Sequence, residues 1–121
     1  MDEIFDDNNK RAKGSKYEHV AGEYLKSMGF EIIQYNFYSK HGEIDIIALD
    51  KEYLVFCEVK YRSGGRKFNS LKAVNKKKQK RIINCARFYI IKNKLKNVPC
   101  RFDVIGIEDE EVIYIKNAFS L

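Results

Sequence analysis

Four charged residues interrupt two apolar runs of this sequence: Glu43 and Asp45 in GEIDIIALD, and Glu58 and Lys60 in YLVFCEVKYR. The runs read as two β-strands joined by a tight turn. Side chains alternate along a strand, so Glu43, Asp45 and Ile47 are expected on one face, as are Phe56, Glu58 and Lys60. A turn centred between Lys51 and Glu52 sets Asp45 opposite Glu58 and Glu43 opposite Lys60. Two-residue and four-residue loops both give this register. Lys-Glu is a poor pair for a primed two-residue turn, so the four-residue loop, with Asp50 opening a type I turn, is expected. Opposed residues have Cβ atoms about 5 Å apart, where two carboxylates repel unless a cation lies between them. Mg²⁺ or Mn²⁺ suits such oxygen ligands, taking one or two carboxylates and completing its shell with water and phosphate oxygens. Lys60, one pleat beyond Glu58, could position or deprotonate an attacking water and stabilise charge developing on a phosphodiester. The plainer alternative is a Glu43–Lys60 salt bridge at the sheet edge. Such exposed pairs contribute only about 0–1 kcal/mol, and one does not explain charges flanked by Ile44, Ile46, Val55 and Val59.

The elements that must position these groups are legible from periodicity. Residues 1–13 read as a polar tail, and 14–121 as a single domain. Ser15-Lys16-Tyr17-Glu18 has the form of a capping box. Tyr17, Val20, Ala21, Tyr24, Leu25 and Met28 then recur at helical spacing until Gly29. A strand follows from Phe30 to about Phe37, then the hairpin strands, Gly42–Leu49 and Tyr53–Tyr61. A loop over Ser63–Ser70 leads to a long helix from about Leu71 to Asn93. Its apolar stripe is Leu71, Val74, Ile82, Cys85, Ala86 and Tyr89. Beyond Pro99, strands over Cys100–Ile107 and Val112–Asn117 flank an acidic turn. The order α-β-β-β-α-β-β predicts an α/β domain with a mixed sheet, the strand after the long helix running parallel to an earlier one.

Charge distribution points to a partner. Fifteen of the 23 Lys and Arg residues lie between Val59 and Phe102, where there is no Asp or Glu. A merely solvated face would mix in acids, so a polyanion is the favoured partner, and nucleic acid the favoured polyanion. Lys76, Lys77, Lys80 and Arg87 would supply backbone contacts that read no sequence, and Arg62 is a further expected nucleic-acid contact. Lys78 lies within the apolar stripe and Arg81 at its edge. Snorkelling is the ordinary reading of such a lysine, whereas a helix beside the active strands could aim both at a scissile phosphate. No stretch approaches the ~18 apolar residues of a membrane helix, and the N-terminus lacks the pattern of a secretory signal. Cys57, Cys85 and Cys100 are odd in number and widely spaced, which fits a reducing cytoplasm rather than a disulfide framework. Arg101 and Asp103 are expected to pair with one another. His41 and His19 are expected to be ordinary loop and helix side chains.

GEIDIIALD…LVFCEVKYRS, AVNKKKQKRIINCARFYI and RFDVIGI together resemble the YraN-like family of small bacterial proteins. The likeness runs from about Lys13 to Ile107. It implies a restriction-endonuclease-like fold, related to archaeal Holliday junction resolvases and other PD-(D/E)xK nucleases. By that resemblance Asp45 and Glu58 are metal-binding carboxylates and Lys60 a catalytic lysine. Glu18 matches the acid that related resolvases bring to the metal from the first helix. Glu43 falls in the G-E-I-D block, and Lys78 and Arg81 match a K-x-x-R motif. This chain departs from the family's pattern at Tyr17, where Gly is common, at Tyr38, where Arg often stands, and at FNSL over residues 68–71. None of these touches the carboxylate–lysine set; a difference, if there is one, is expected in substrate contacts. Glu18 has an independent explanation as the closing residue of the capping box.

These readings converge on a metal-dependent endonuclease hydrolysing DNA, branched or structured DNA included, with Mg²⁺ or Mn²⁺ as cofactor, DNA preferred over RNA, and a homodimer as one option. The alternatives are a nucleic-acid-binding module that does no chemistry on the same fold, and a basic accessory protein of RNA.

Overall fold

Residues 16–62 and 74–120 are described by the computed structural model, excepting the side chain of Arg62. The expected Ser15 cap, the N-terminal tail, the 63–70 loop and Leu71 lie outside those residues. The first helix, α1, covers 16–27. It ends where Gly29 turns left-handed at φ 94°, with Gly29 N donating to Lys26 O and Phe30 N to Leu25 O. Those two bonds satisfy carbonyls the helix end would otherwise leave open. Five strands and a second helix follow: β1 Glu31–Ser39, β2 Gly42–Asp50, β3 Tyr53–Arg62, α2 Lys76–Lys92, β4 Cys100–Glu108 and β5 Glu111–Phe119. The expected α-β-β-β-α-β-β order is therefore present. The sheet is mixed and keeps chain order, β1-β2-β3-β4-β5. Only the β3–β4 pair is parallel, joined by the passage through α2.

Two boundaries differ from expectation. The turn between β2 and β3 is the two-residue Lys51-Glu52 form, because Asp50 pairs directly with Tyr53. Lys51 adopts φ 56°, so the backbone accepts a left-handed residue there to match the strand twist. The long helix starts at Lys76 rather than near Leu71. Asn75 is extended, and its side chain accepts from Lys78 N at 2.8 Å. A carboxamide that satisfies an open helix donor outcompetes continuation of the apolar period. Val74 is buried against Val104 all the same.

Among the described residues, each sheet face carries one helix. Ala21 and Leu25 of α1 join Ile46, Ala48, Val55, Cys57, Ile105 and Ile107 in one core. Ile82, Cys85, Ala86 and Tyr89 of α2 join Ile44, Ile47, Leu54, Phe56 and Phe102 in the other. The alternation along β3 is regular, whereas that along β1 and β2 is not. Tyr35 and Ile46 face α1, yet Phe37 and Ile44, two residues along, face α2. The reversal is centred on Asn36, at φ 55°, which the register places across from Asp45. Strict alternation, with Asp45 and Ile47 sharing a face, therefore does not hold at this point.

Gly22 of α1 packs against Tyr35, and a Cβ there would lie 2.1 Å from the Tyr35 hydroxyl. That hydroxyl is buried without a hydrogen-bond partner among the described residues. Gly22→Ala is expected to lower stability by about 1–2 kcal/mol, overpacking outweighing the gain in helix propensity. Adding Tyr35→Phe is expected to restore only part of it, because the ring carbon that carried the hydroxyl would still lie 2.9 Å from the new Cβ, as chemical denaturation of the two variants would show.

Candidate functional site

The β2–β3 ladder has the expected register, running from Asp50↔Tyr53 to Ile46↔Cys57. It stops one step before the expected Asp45–Glu58 opposition. Beyond that step β2 continues on β1, through Ile44↔Phe37 and Glu43↔Tyr38. Meanwhile β3 continues on β4, through Glu58↔Val104 and Lys60↔Gly106. Asp45 sits at the parting, where its Oδ2 accepts from Val59 N at 2.8 Å. A side-chain acceptor thus takes over a backbone donor that the departing strand no longer serves. The parted strands leave a small crevice lined by Glu43, Ile44, Asp45, Cys57, Glu58 and Ile82.

Glu18 reaches this end of the sheet from α1. One oxygen from each of Glu18, Glu43 and Asp45 can lie within 4.8 Å of the others. Burial first, then the charges of Glu58, Glu18 and Glu43, push the Asp45 carboxyl up to about 8, against the Val59 hydrogen bond. Burial also raises Glu18, with Glu43 adding, while hydrogen bonds from Asn36 and Asp45 pull the other way. Three converging carboxylates, two of them reluctant to ionise, hold their negative charge poorly without a cation. All three donors are oxygen, which suits Mg²⁺ or Mn²⁺ and disfavours softer ions.

Glu58 lines the same crevice but stands outside that ring. Its Oε1 lies 2.9 Å from Lys78 Nζ, with 11% of its side chain exposed. Its Oε2 is buried and makes no hydrogen bond among the described residues. Lys60, half-buried on β3, follows Glu58 by two residues. Lys78 lies in the first turn of α2, which carries no acid. Lys76, Lys77, Lys80 and Arg81 are exposed around it. Arg81 also approaches the start of β2, its Cβ standing 3.8 Å from where a Cβ on Gly42 would be. The basic end of α2 and the acidic crevice are therefore adjacent. His41 and His19 lie outside the carboxylate group; their rings meet Phe88 and Tyr35.

Sequence reasoning missed Asn36, which bonds Glu18 and occupies the reversal across from Asp45. Its only signal was an Asn, a residue that tolerates φ > 0, in the middle of a strand. The stack of Tyr17 on Tyr61, with centroids 3.7 Å apart, was also missed. It ties the start of α1 to the end of β3, flanking Glu18 and Lys60 in sequence. Arg101 and Asp103 do pair, with Nε to Oδ1 at 3.0 Å and Nη2 to Oδ2 at 2.9 Å. Arg101 also reaches Asp50 at the far end of β2, while Asp103 pairs in register with Cys57 beside the crevice. Among the described residues, no helix is long and apolar enough to cross a membrane.

Comparison with known proteins places these features in a family. Residues 17–107 match the uncharacterised protein family UPF0102. A UPF0102 protein of Lachnoclostridium phytofermentans is 44% identical over 113 residues, covering 93% of this chain and 96% of its own length. One from Clostridioides difficile is also 44% identical over 113 residues, covering 92% and 99%. One from Acetivibrio thermocellus is 43% identical over 122 residues, covering 93% and 94%. The match spans the first helix, the parted hairpin, α2 and β4 as far as Ile107, and the chain belongs to the UPF0102 family.

Proposed function

We propose that this protein is a metal-dependent endonuclease that hydrolyses phosphodiester bonds in DNA, branched or structured DNA included. The observation that carries the reading is the parting of β2 from β3, which gathers Glu18, Glu43 and Asp45 beside Glu58 and beneath the basic start of α2. Glu18, Glu43, Asp45 and Glu58 would hold Mg²⁺ or Mn²⁺. When bound, the ion would lower the pKa of a water and offset charge on the phosphodiester. Lys60 would orient the attacking water and stabilise charge developing on the phosphoryl oxygens in the transition state, from the β3 side. Lys76, Lys77, Lys80 and Arg81 would hold the strand backbone, with Lys78 near the scissile phosphate. DNA is preferred over RNA, the cytoplasm is the compartment, and a homodimer would supply two sites for cutting two strands.

The test is incubation with linear, forked and four-way DNA in Mg²⁺ or Mn²⁺. The wild type is expected to cut at least one of them, and Lys60→Ala to lose about 10²–10³-fold in rate while still binding. Binding is expected to weaken steeply with salt, the slope shrinking by about one unit for each phosphate-contacting lysine removed. A second reading, a binding module without chemistry, is favoured by one feature: Lys78 already neutralises Glu58. Salt-sensitive DNA binding with no cleavage of any substrate in either metal would select it.

A further inference from the structure

The Lys78–Glu58 pair is unusual in what surrounds it. Glu58 is nearly buried and keeps one oxygen, Oε2, without a hydrogen bond among the described residues. It borders the crevice that Asp45 and Glu43 line, and its charge is felt at Asp45. Lys78 approaches it from outside, its side chain 49% exposed, on a helix turn where Lys76 and Lys77 face water and no acid balances them. Lysine carries its charge on a flexible stem, so the ammonium can leave Glu58 without moving the helix. Its backbone is held in place by the Asn75 cap.

We infer that Lys78 is a resident counter-ion of Glu58 that a divalent cation displaces, so that filling the metal site frees its ammonium for a nucleic-acid phosphate. This rests on the metal-site reading above and adds a coupling to it. A dication at the carboxylates and an ammonium on Glu58 repel at a few ångströms, so the two compete. Once released at the N-terminus of a helix, among other lysines, Lys78 finds in a phosphate the partner that the helix dipole also favours. Metal and nucleic acid then promote one another's binding through a single side chain. By linkage the effect is the same in both directions.

The consequence is a pair of effects with opposite signs. Titration calorimetry with Mn²⁺ alone at pH 8 is expected to show Lys78→Met binding the ion about 2–10-fold more tightly than wild type. In a Lys60→Ala background, which keeps the strand intact, anisotropy of a labelled duplex measures how far Mn²⁺ tightens DNA binding. That factor is expected to fall by a similar amount when Lys78→Met is added. Removing any positive charge nearby would help a cation somewhat, so two controls define the effect. Lys77→Met, which makes the same charge change on the exposed neighbour, is expected to do much less. In Glu58→Gln, adding Lys78→Met is expected to change Mn²⁺ affinity little. Equal or weaker Mn²⁺ binding by Lys78→Met overturns the inference and leaves the metal site standing. So does the same gain in the Glu58→Gln background. Absence of Mn²⁺ binding in wild type and Lys78→Met alike overturns the inference together with the metal-site reading.

Discussion

Asp45→Asn is expected to make the metal-free protein more stable while eliminating cleavage. Burial and three neighbouring acids hold the Asp45 carboxyl at about 8, far above its ordinary value of 3.8. The folded protein therefore binds a proton at Asp45 that the unfolded chain has already released. Stability attributable to this group falls as pH rises from about 4 to about 8, and is flat above that. One unit of displacement corresponds to about 1.4 kcal/mol. Discounted for the partial contact of Asp45 with water, the penalty at pH 8 is about 2–3 kcal/mol. Asparagine carries no charge, and its carbonyl can still accept from Val59 N, so the variant escapes the penalty. Calorimetric melts across that pH range are expected to show the variant melting several degrees higher at pH 8 and the two proteins converging near pH 4. Added Mn²⁺ is expected to reverse the order, raising the wild type by mass action and leaving the variant unmoved. Cleavage is expected to fall at least about 10²–10³-fold. A variant that melts lower than wild type at pH 8 without metal would contradict the strained-carboxylate account.

Arg101→Met is expected to produce the converse, a badly weakened fold with every carboxylate of the crevice still present. Arg101 is buried between two carboxylates, with Nη1 2.9 Å from Asp50 Oδ2 and Nη2 2.9 Å from Asp103 Oδ2. Its guanidinium lies over the rings of Phe30 and Tyr53, 5.7 and 5.5 Å from their centroids. Burial works against its charge, but the hydrogen bonds and charge of Asp103, with Asp50, overcome it and raise its pKa above the ordinary arginine value. Asp103 is fully buried and also accepts from Asn117 N at 2.9 Å and from the Tyr114 hydroxyl. Removing the cation leaves Asp103 charged and uncompensated, a loss of about 3–5 kcal/mol. Asp50 lies five residues along β2 from Asp45, roughly 15–17 Å at strand rise. Asp103, however, pairs in register with Cys57 of the crevice. Cleavage per folded molecule, measured well below the melting temperature, is therefore expected to fall, though by less than in Asp45→Asn because no crevice carboxylate is removed. Urea denaturation of Arg101→Met with an unchanged midpoint would contradict the role given to this cluster.

The two variants separate two kinds of buried charge that look alike as residue types. Asp103 has a fixed internal cation and several donors, so its charge belongs to the fold. Asp45 has one backbone donor and three acidic neighbours, so its charge is a standing cost that a ligand can relieve. The sequence supported the first assignment by an Arg-x-Asp spacing on one strand, where side chains two apart share a face. It supported the second only in part. Glu43, Asp45, Glu58 and Lys60 were conspicuous because charges rarely interrupt apolar strand runs. The partner that faces each of them was not legible.

What the sequence determined by itself is what local periodicity and chain order carry. The order of elements, the hairpin register, the helix stop at Gly29, the acid-free basic segment and the Arg101–Asp103 pair all follow from neighbours close along the chain. The tertiary structure alone decided where the hairpin ladder ends, because β3 leaves β2 to continue on β4, a partner that arrives some 40 residues later. It also decided that Glu18, Glu43 and Asp45 converge while Glu58 turns to Lys78. Strict alternation placed Asp45 and Glu58 face to face, but the left-handed Asn36 reverses the faces of β1 and β2 at that point. A single residue's dihedral angle is a local event with a long lever. It redirects every side chain beyond it, and its energy is settled by packing on both faces of the sheet rather than by the pattern of residue types.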